Sequence, residues 1–91
     1  MPLNLSNTEA LGRTYAAARM MAGLDQATLA IDSGLSSGTI SNVERGRDSK
    51  DSTLKLIRKS LGRRGVVVTF NRSQGIASVI ISFAEDDSDE D

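Results

Sequence analysis

Short polar side chains cluster between residues 36 and 45, with types and spacing that can read the edges of DNA bases. The amide of Asn42 can form two hydrogen bonds with adenine, and the hydroxyls of Ser37 and Ser41 can bond to either kind of base. Arg45 can reach guanine or a phosphate, and we expect the phosphate. The alternative for Ser41 and Asn42 is a solvent-facing surface without a ligand. The candidate residues in this segment are Ser36, Ser37, Gly38, Thr39, Ser41, Asn42 and Arg45.

Gly38 lies inside the helix predicted to carry these side chains. A glycine in a helix interior costs about 1 kcal/mol relative to alanine. Gly38 therefore either marks a close approach of the backbone to DNA or is a tolerated weakness of the helix.

Phosphate-binding residues are predicted on both sides of this segment. Gln26 begins a predicted helix, where its side chain and the free backbone amides can bind the same anion. Arg47 and Lys50 belong to the stretch 45–64, which holds eight basic and two acidic residues. Such side chains neutralise phosphates in DNA complexes. The alternatives are an exposed glutamine without a ligand and an ordinary solvated helix face.

The net charge of −1 hides an uneven distribution along the chain. Six of the twelve acidic residues lie within 85–91. Residues 1–84 therefore carry a charge of +5, from eleven basic and six acidic residues. We predict a disordered acidic tail over 85–91, because its charge density is too high for a packed core. The tail either competes with phosphate for the basic surface, docks a basic partner, or only aids solubility.

Residues 26–45 predict two short helices joined by a tight turn. Leu29 and Ala30 share one face of the first helix, and Ile40 and Val43 are three apart on the second. These side chains can therefore form one small cluster. Gly34 suits a turn that requires a positive φ. This pattern is typical of a helix-turn-helix, although any compact helical corner shares part of it.

The remaining elements follow from caps, apolar spacing and glycines. Ser6 and Glu9 form a capping box at the start of a helix that runs to about Met21. A fourth helix is predicted after the polar loop, capped by Asp51 or Ser52. The period then becomes extended in RGVVVTFNR and IASVIISF, which flank the turn at 72–75 and predict a β-hairpin.

The hairpin is expected to mediate a homodimer. Alternate residues of each strand are apolar, and an isolated hairpin with free edges favours pairing with another chain. The alternative is that the hairpin packs only on its own helices. The residues assigned to the dimer interface are Val66, Val68, Phe70, Val79, Ile81 and Phe83.

Arg19 and Glu44 are predicted to form a structural ion pair. Each lies on the inner side of its predicted helix, near apolar residues. An unpaired charge is costly there. We therefore expect this pair to join the first helix to the third.

Composition excludes several classes of function. The sequence has no histidine and no cysteine, which excludes disulfides, catalysis by these residues, and metal sites built on them. An enzyme is therefore not expected, and neither is a cofactor or a metal. The sequence shows no apolar run of membrane-spanning length and no signal peptide at its start, so a cytoplasmic location is expected.

The stretch from about Leu11 to Leu61, with AARMMAGLDQATLAIDSGLSSGTISNVERGR at its centre, resembles the Cro/CI-type (XRE) helix-turn-helix domains of phage repressors and bacterial regulators. In that family an Arg precedes the Gln of the second helix by seven residues and a Glu follows it by eighteen, as Arg19, Gln26 and Glu44 do here. The resemblance implies that the Arg and Glu pair and that the Gln contacts the DNA backbone. The sequence departs from the family at Asp25, where Ser or Thr often caps, and at Gly38, often a larger residue.

The layout of a helical domain, a β-structure and a charged tail is also similar to HipB-type antitoxins. That similarity implies dimerisation through strands and a toxin partner. It extends only to the layout and to the entry into the fourth helix, DSTL.

These observations predict an α+β, mainly α protein. It comprises a four- to five-helix DNA-binding domain over 1–62, a hairpin over 63–84 and the tail over 85–91. The predicted function is a repressor-like regulator that binds a palindromic operator as a homodimer. The alternative is an antitoxin that binds its toxin and regulates its own operon.

Overall fold

The computed structural model describes residues 5–48 and 50–84. It contains four helices followed by a two-stranded antiparallel hairpin, which confirms the α+β, mainly α prediction. The elements are α1 (Asn7–Met21), α2 (Gln26–Ser33), α3 (Ser37–Glu44), α4 (Asp51–Gly62), β1 (Val66–Asn71) and β2 (Ile76–Ile81).

Side-chain caps start the first three helices. Ser6 and Glu9 form the capping box predicted for α1. The Asp25 carboxylate accepts from the backbone amide of Thr28 at the start of α2, and Ser36 caps α3. The prediction for α4 is wrong, because its N-cap is Lys50, which makes no side-chain cap. Asp51 is instead the first helical residue, where its negative charge favours the helix N-terminus.

Two glycines with positive φ end the two helices of the helix-turn-helix. Gly34 ends α2 with a φ of 76°, which turns the chain directly towards α3. Gly46 follows α3 with the same φ. A Cβ atom at Gly46 would lie 2.8 Å from the carbonyl oxygen of Thr8, so the residue also permits α3 to end close against α1.

One hydrophobic core joins the helices to the hairpin. Both strands pack on α1, β1 also packs on α4, and α2 lies against α3 and α4. The buried apolar residues are Leu11, Tyr15, Ala18, Leu24, Leu29, Ala30, Ile40, Val43, Leu54, Ile57, Leu61 and Val66. Because β1 contributes to this core, we expect the hairpin to stabilise the helical part directly.

The register of the hairpin divides its side chains into an inner and an outer face. Opposed residues of an antiparallel pair point to the same side of the sheet. The inner face therefore carries the three pairs Val66–Ile81, Val68–Val79 and Phe70–Ala77. The outer face carries the pairs Val67–Ile80, Thr69–Ser78 and Asn71–Ile76.

The predicted dimer interface needs a correction, because most of its residues lie on the inner face. Val66 is only 1% exposed, and Val68, Phe70 and Val79 are half-buried against the core of the same chain. Much of their apolar surface packs on the core that α1 and α4 share with β1, so little of it is left for another molecule.

The domain boundary predicted at residue 62 stays a prediction.

Two residues of the predicted dimer interface, Ile81 and Phe83, are exposed. The acidic tail at 85–91 lies outside the described residues.

Candidate nucleic-acid interface

The two helices of the predicted helix-turn-helix, α2 and α3, pack through faces of small and aliphatic residues. Leu29 and Ala30 of α2 and Ile40 and Val43 of α3 are all buried in the same core. Leu35, in the turn between the helices, packs against this core and is half-buried. This cluster sets the angle between α2 and α3 and leaves the opposite side of α3 exposed.

The exposed side of α3 carries most of the predicted base-reading residues. Ser37, Gly38, Asn42 and Arg45 are exposed, and Ser41 is half-buried. Within residues 5–48 and 50–84, the side chains of Ser37 and Asn42 make no hydrogen bond. Their polar groups are therefore available to an incoming ligand.

Ser36 and Thr39 are largely engaged in capping α3. The Ser36 hydroxyl accepts a hydrogen bond from the backbone amide of Thr39 over 3.0 Å. The two hydroxyls also bond to each other over 2.9 Å. These residues therefore fix the start of α3, and each hydroxyl keeps less hydrogen-bonding capacity for a base than Ser37 or Asn42.

The carboxylate of Glu44 ties the end of α3 to α1. Nε of Arg19 donates to Oε2 over 2.7 Å, and Nη2 donates to Oε1 over 3.1 Å. Nη1 of Arg19 donates to the carbonyl oxygen of Leu24 over 2.9 Å. The hydrogen bonds with Glu44 raise the pKa of the Arg19 guanidinium. Only 16% of the Arg19 side chain and 9% of the Glu44 side chain are exposed, so the pair is shielded from most solvent screening.

Gln26 joins this cluster from the first turn of α2. Its amide nitrogen donates to Oε1 of Glu44 over 3.0 Å. One amide hydrogen and the side-chain oxygen remain beyond this bond, since a glutamine amide carries two hydrogens and an acceptor. Gln26 is thereby held at the N-terminal end of α2, where it can present its second hydrogen to an anion.

Exposed cations follow α3 directly. The backbone amide of Arg47 donates to the carbonyl oxygen of Asn42 over 2.8 Å, which holds the chain close to the end of α3. The backbone amide of Lys50 donates to the Asp48 carboxylate over 3.1 Å. Arg45, Arg47 and Lys50 are all exposed. The structure therefore brings three basic side chains to the loop that follows the polar face of α3.

Comparison with known proteins agrees with this arrangement. No family model matches the sequence, and no curated protein matches it significantly. Among solved structures, the chain is similar to the clp gene regulator ClgR from C. glutamicum. The TM-score is 0.59 and the sequence identity is 32%, over 65% of this chain and 78% of ClgR. The chain belongs to the XRE-like helix-turn-helix family of transcriptional regulators.

Some basic residues of this helix-turn-helix protein make structural contacts instead of forming a free surface. Nη1 of Arg58 donates to the Tyr15 hydroxyl over 3.0 Å. Nη2 of Arg63 donates to the carbonyl oxygen of Asp32 over 2.9 Å and to its carboxylate over 3.2 Å. In the basic stretch 45–64, Arg58 and Arg63 therefore connect helices, whereas Arg45, Arg47 and Lys50 are exposed in the loop after α3.

Sequence reasoning missed the contact between α2 and α4. The Ser60 hydroxyl is buried and donates to the carboxylate of Asp32, which also accepts from Arg63. The hydrogen bond from Ser60 is the largest cause that lowers the pKa of the Asp32 carboxyl. The sequence did contain a signal for this contact, because Ser60 lies at helical spacing from the buried Thr53 and Ile57. A polar residue on a buried helix face indicates a hydrogen-bond partner on a neighbouring element.

Gly12 is a second residue that sequence reasoning missed. A Cβ atom there would lie 2.5 Å from the carbonyl oxygen of Glu44 and 2.8 Å from that of Val43. Such distances do not occur for real Cβ atoms. Glycine at this position therefore allows α1 to pack directly on the backbone of α3.

Within the part of the chain that the structure describes, no helix is long and apolar enough to cross a bilayer.

Proposed function

We propose that this protein is a sequence-specific DNA-binding transcriptional regulator that places α3 in the major groove. The observation that carries this proposal is the joint hydrogen bonding of Arg19 and Gln26 to Glu44. It fixes α2 and α3 as one rigid unit while the polar face of α3 stays open. A preorganised face reads bases at a smaller entropic cost than a mobile one. The description of ClgR as a gene regulator supports the same class of function.

The side chains divide into two proposed roles. Ser37, Ser41 and Asn42 contact base edges, because their short polar side chains lie on the outer side of α3. Gln26 and the three cations Arg45, Arg47 and Lys50 contact phosphates, which set the register of the protein on the duplex without selecting sequence. Ser36 and Thr39 act mainly by starting α3, and Gly38 lets the helix backbone approach the groove.

We further propose that the protein is a homodimer, that it binds a palindromic operator, and that it acts as a repressor in the cytoplasm. A two-fold symmetric dimer presents two recognition helices to successive major grooves, about 34 Å apart along the duplex. One small module buries little DNA surface, so two are needed for tight binding. A bound regulator that overlaps a promoter represses it by occupying the site.

The proposal is tested by selecting bound fragments from genomic DNA with the purified protein. A binding titration then compares the selected sequence with mutated sequences. Asn42→Ala should lose about 1–3 kcal/mol of discrimination between them. Arg47→Ala should weaken binding to all sequences alike and reduce the salt dependence. Arg72→Ala, which removes an equal charge from the exposed turn of the hairpin, serves as the control and should leave binding nearly unchanged.

Unchanged operator preference in Asn42→Ala would show that α3 is not the reading helix. Failure to enrich any sequence would overturn sequence-specific binding altogether.

An antitoxin role is the alternative that the sequence layout raises. The similarity to ClgR supports a helix-turn-helix regulator and does not extend to a toxin partner. A protein that copurifies with the chain and is inactivated by it would favour the antitoxin. Its absence, together with repression of a target promoter by the chain alone, would favour the plain regulator.

A further inference from the structure

The outer face of the hairpin has the composition of a buried surface although it is exposed. Val67, Ile76 and Ile80 on this face are 51%, 59% and 54% exposed. None of the six residues on the face is charged, whereas a quarter of the whole chain is. Exposed strands usually carry charges that prevent association with other chains. Depletion of charge is instead a property of the centre of protein interfaces.

The polar residues of the outer face already have hydrogen-bond partners. The Thr69 and Ser78 hydroxyls bond to each other across the strands. The side-chain oxygen of Asn71 accepts from the Ser73 hydroxyl over 2.8 Å and from the Gln74 backbone amide over 3.1 Å. Covering a polar group costs free energy mainly when it is left without a partner. Another surface can therefore cover this face at little cost.

The inner face of the hairpin packs on the core and holds the hairpin in place. Val66 lies in the core, and Val68, Phe70 and Val79 pack against it. The backbone amide of Ser82 donates to the carbonyl oxygen of Gly65 over 2.7 Å, which closes the base of the hairpin. These contacts fix the orientation of the outer face relative to the helices that carry the candidate nucleic-acid interface.

We propose that the outer face of the hairpin binds the same face of a second copy of this chain. Most of the positive surplus of residues 1–84 lies in the loops that follow α3 and α4, and residues 85–91 hold half of the acidic residues. Among the described residues, the outer face is an uncharged apolar surface that can match a second copy of itself. A two-fold interface requires such a self-complementary patch. This pairing supplies the dimer on which the proposed reading of a palindromic operator rests.

The size of the face predicts a weak, concentration-dependent dimer. Each strand has six residues, which makes the hairpin about 20 Å long. Two strands are about 10 Å wide, so the footprint is smaller than the roughly 800 Å² per partner of a standard interface. At the end of the hairpin where β1 begins and β2 ends, Phe83 is a further exposed apolar residue, with 84% of its surface accessible. At the other end, Ile76 also lines an apolar groove of about 290 Å³ with Leu5 and Phe70.

Sedimentation velocity without DNA, from low micromolar to near-millimolar concentration, tests the inference. The wild type should shift from monomer to dimer over this range. Ile80→Lys places a charge on the outer face and should keep the protein monomeric at every concentration, with a melting temperature close to that of the wild type. Ile31→Lys, at an α2 isoleucine that is 82% exposed, is the matched control and should dimerise like the wild type.

A single cysteine gives a second measurement, because the natural chain contains none. Ser78→Cys lies in the middle of the outer face and should form a covalent dimer with a short thiol-reactive cross-linker. The same cysteine at Thr28, an exposed residue of α2, should not.

A wild type that stays monomeric throughout, or an Ile80→Lys protein that still dimerises, would overturn the proposed pairing. Because these assays contain no DNA, their failure is separate from a failure of the proposed function. A dimer that binds no DNA would overturn the function and leave the pairing intact.

Discussion

The side-chain amide of Gln26 donates to the carboxylate of Glu44 over 3.0 Å, so the first residue of α2 is bonded to the last residue of α3. Arg19 of α1 holds the same carboxylate through two nitrogens. One carboxylate therefore connects three helices. The residue proposed to contact phosphate is thereby positioned by the same contact that stabilises the fold.

The Arg19–Glu44 pair should behave as one energetic unit. Replacing either residue with Ala leaves the other charge largely buried without its partner, which we expect to cost about 3 kcal/mol or more in the free energy of unfolding. The double replacement should cost less than the sum of the two. Urea denaturation of the two single variants and the double variant measures this coupling. Strictly additive losses would show that the observed contact has no energetic role.

Gln26 should contribute to DNA affinity without contributing to sequence preference. Gln26→Ala removes a contact to phosphate and should weaken binding to operator and random DNA by the same factor, because phosphates carry no sequence information. Gln26→Glu should weaken binding further, since it places a second negative charge beside Glu44 and faces the phosphates. Fluorescence titrations with both kinds of DNA test this. A change in the ratio of the two affinities would instead assign Gln26 to base reading.

Two glycines should respond in opposite directions to the same substitution. Gly12→Ala forces a methyl group against the carbonyl oxygens of Val43 and Glu44 and should destabilise the protein. At Gly38 the nearest atom to a new Cβ is the Ser36 hydroxyl oxygen at 3.8 Å, so Gly38→Ala fits within the chain. It should raise the free energy of unfolding by up to about 1 kcal/mol.

The Gly38 variant also separates the two interpretations of this residue. If the backbone approaches DNA closely here, Gly38→Ala should weaken operator binding although it stabilises the fold. Thermal unfolding and a binding titration on the same preparation give both quantities. Unchanged binding in the stabilised variant would show that Gly38 is only a tolerated weakness of α3.

Acid should destabilise the fold through Asp32. The hydrogen bond from Ser60, followed by the bond and charge of Arg63, lowers the pKa of this carboxyl below its usual value. The unfolded chain then binds this proton more tightly than the folded one. The stabilisation is therefore complete above the unfolded pKa of about 4 and is lost as the pH falls through the lower folded pKa.

Thermal unfolding between neutral pH and pH 3 measures this dependence. Asp25 and Glu9 have pKa values lowered by their capping hydrogen bonds and add a dependence of the same sign. Asp32→Asn should be less stable than the wild type at neutral pH and should lose less stability on acidification. Parallel curves for the two proteins would contradict a role for Asp32.

Local chemistry in the sequence was sufficient to place α1, α2 and α3, but it misplaced the cap of α4. Ser6 and Glu9 cap α1 through bonds between near neighbours, so their spacing alone predicted where that helix starts. Gly34 follows the same logic, because only the backbone conformation of one residue decides the turn. The apolar spacing of α2 and α3 predicted their contact, since both faces lie within one short segment.

Long-range contacts depended on geometry that the sequence does not contain. Gly12 meets the backbone of α3, and Ser60 meets Asp32 across 28 residues of chain. Each contact forms only because the helices cross at a particular distance and angle. The contact partner of a glycine or serine within an apolar pattern cannot be inferred before that helix crossing is known.

In the hairpin, the sequence determines which residues share a face, and the tertiary structure decides what covers each face. Its alternation of residues determined, from the sequence alone, that Val66, Val68 and Phe70 share one apolar face. It did not determine what covers that face, because burial of apolar surface is favourable whether the partner is the same chain or another copy. Only the tertiary structure decided that the short connection from α4 brings β1 back onto its own core, which leaves Val67, Ile76 and Ile80 facing outward.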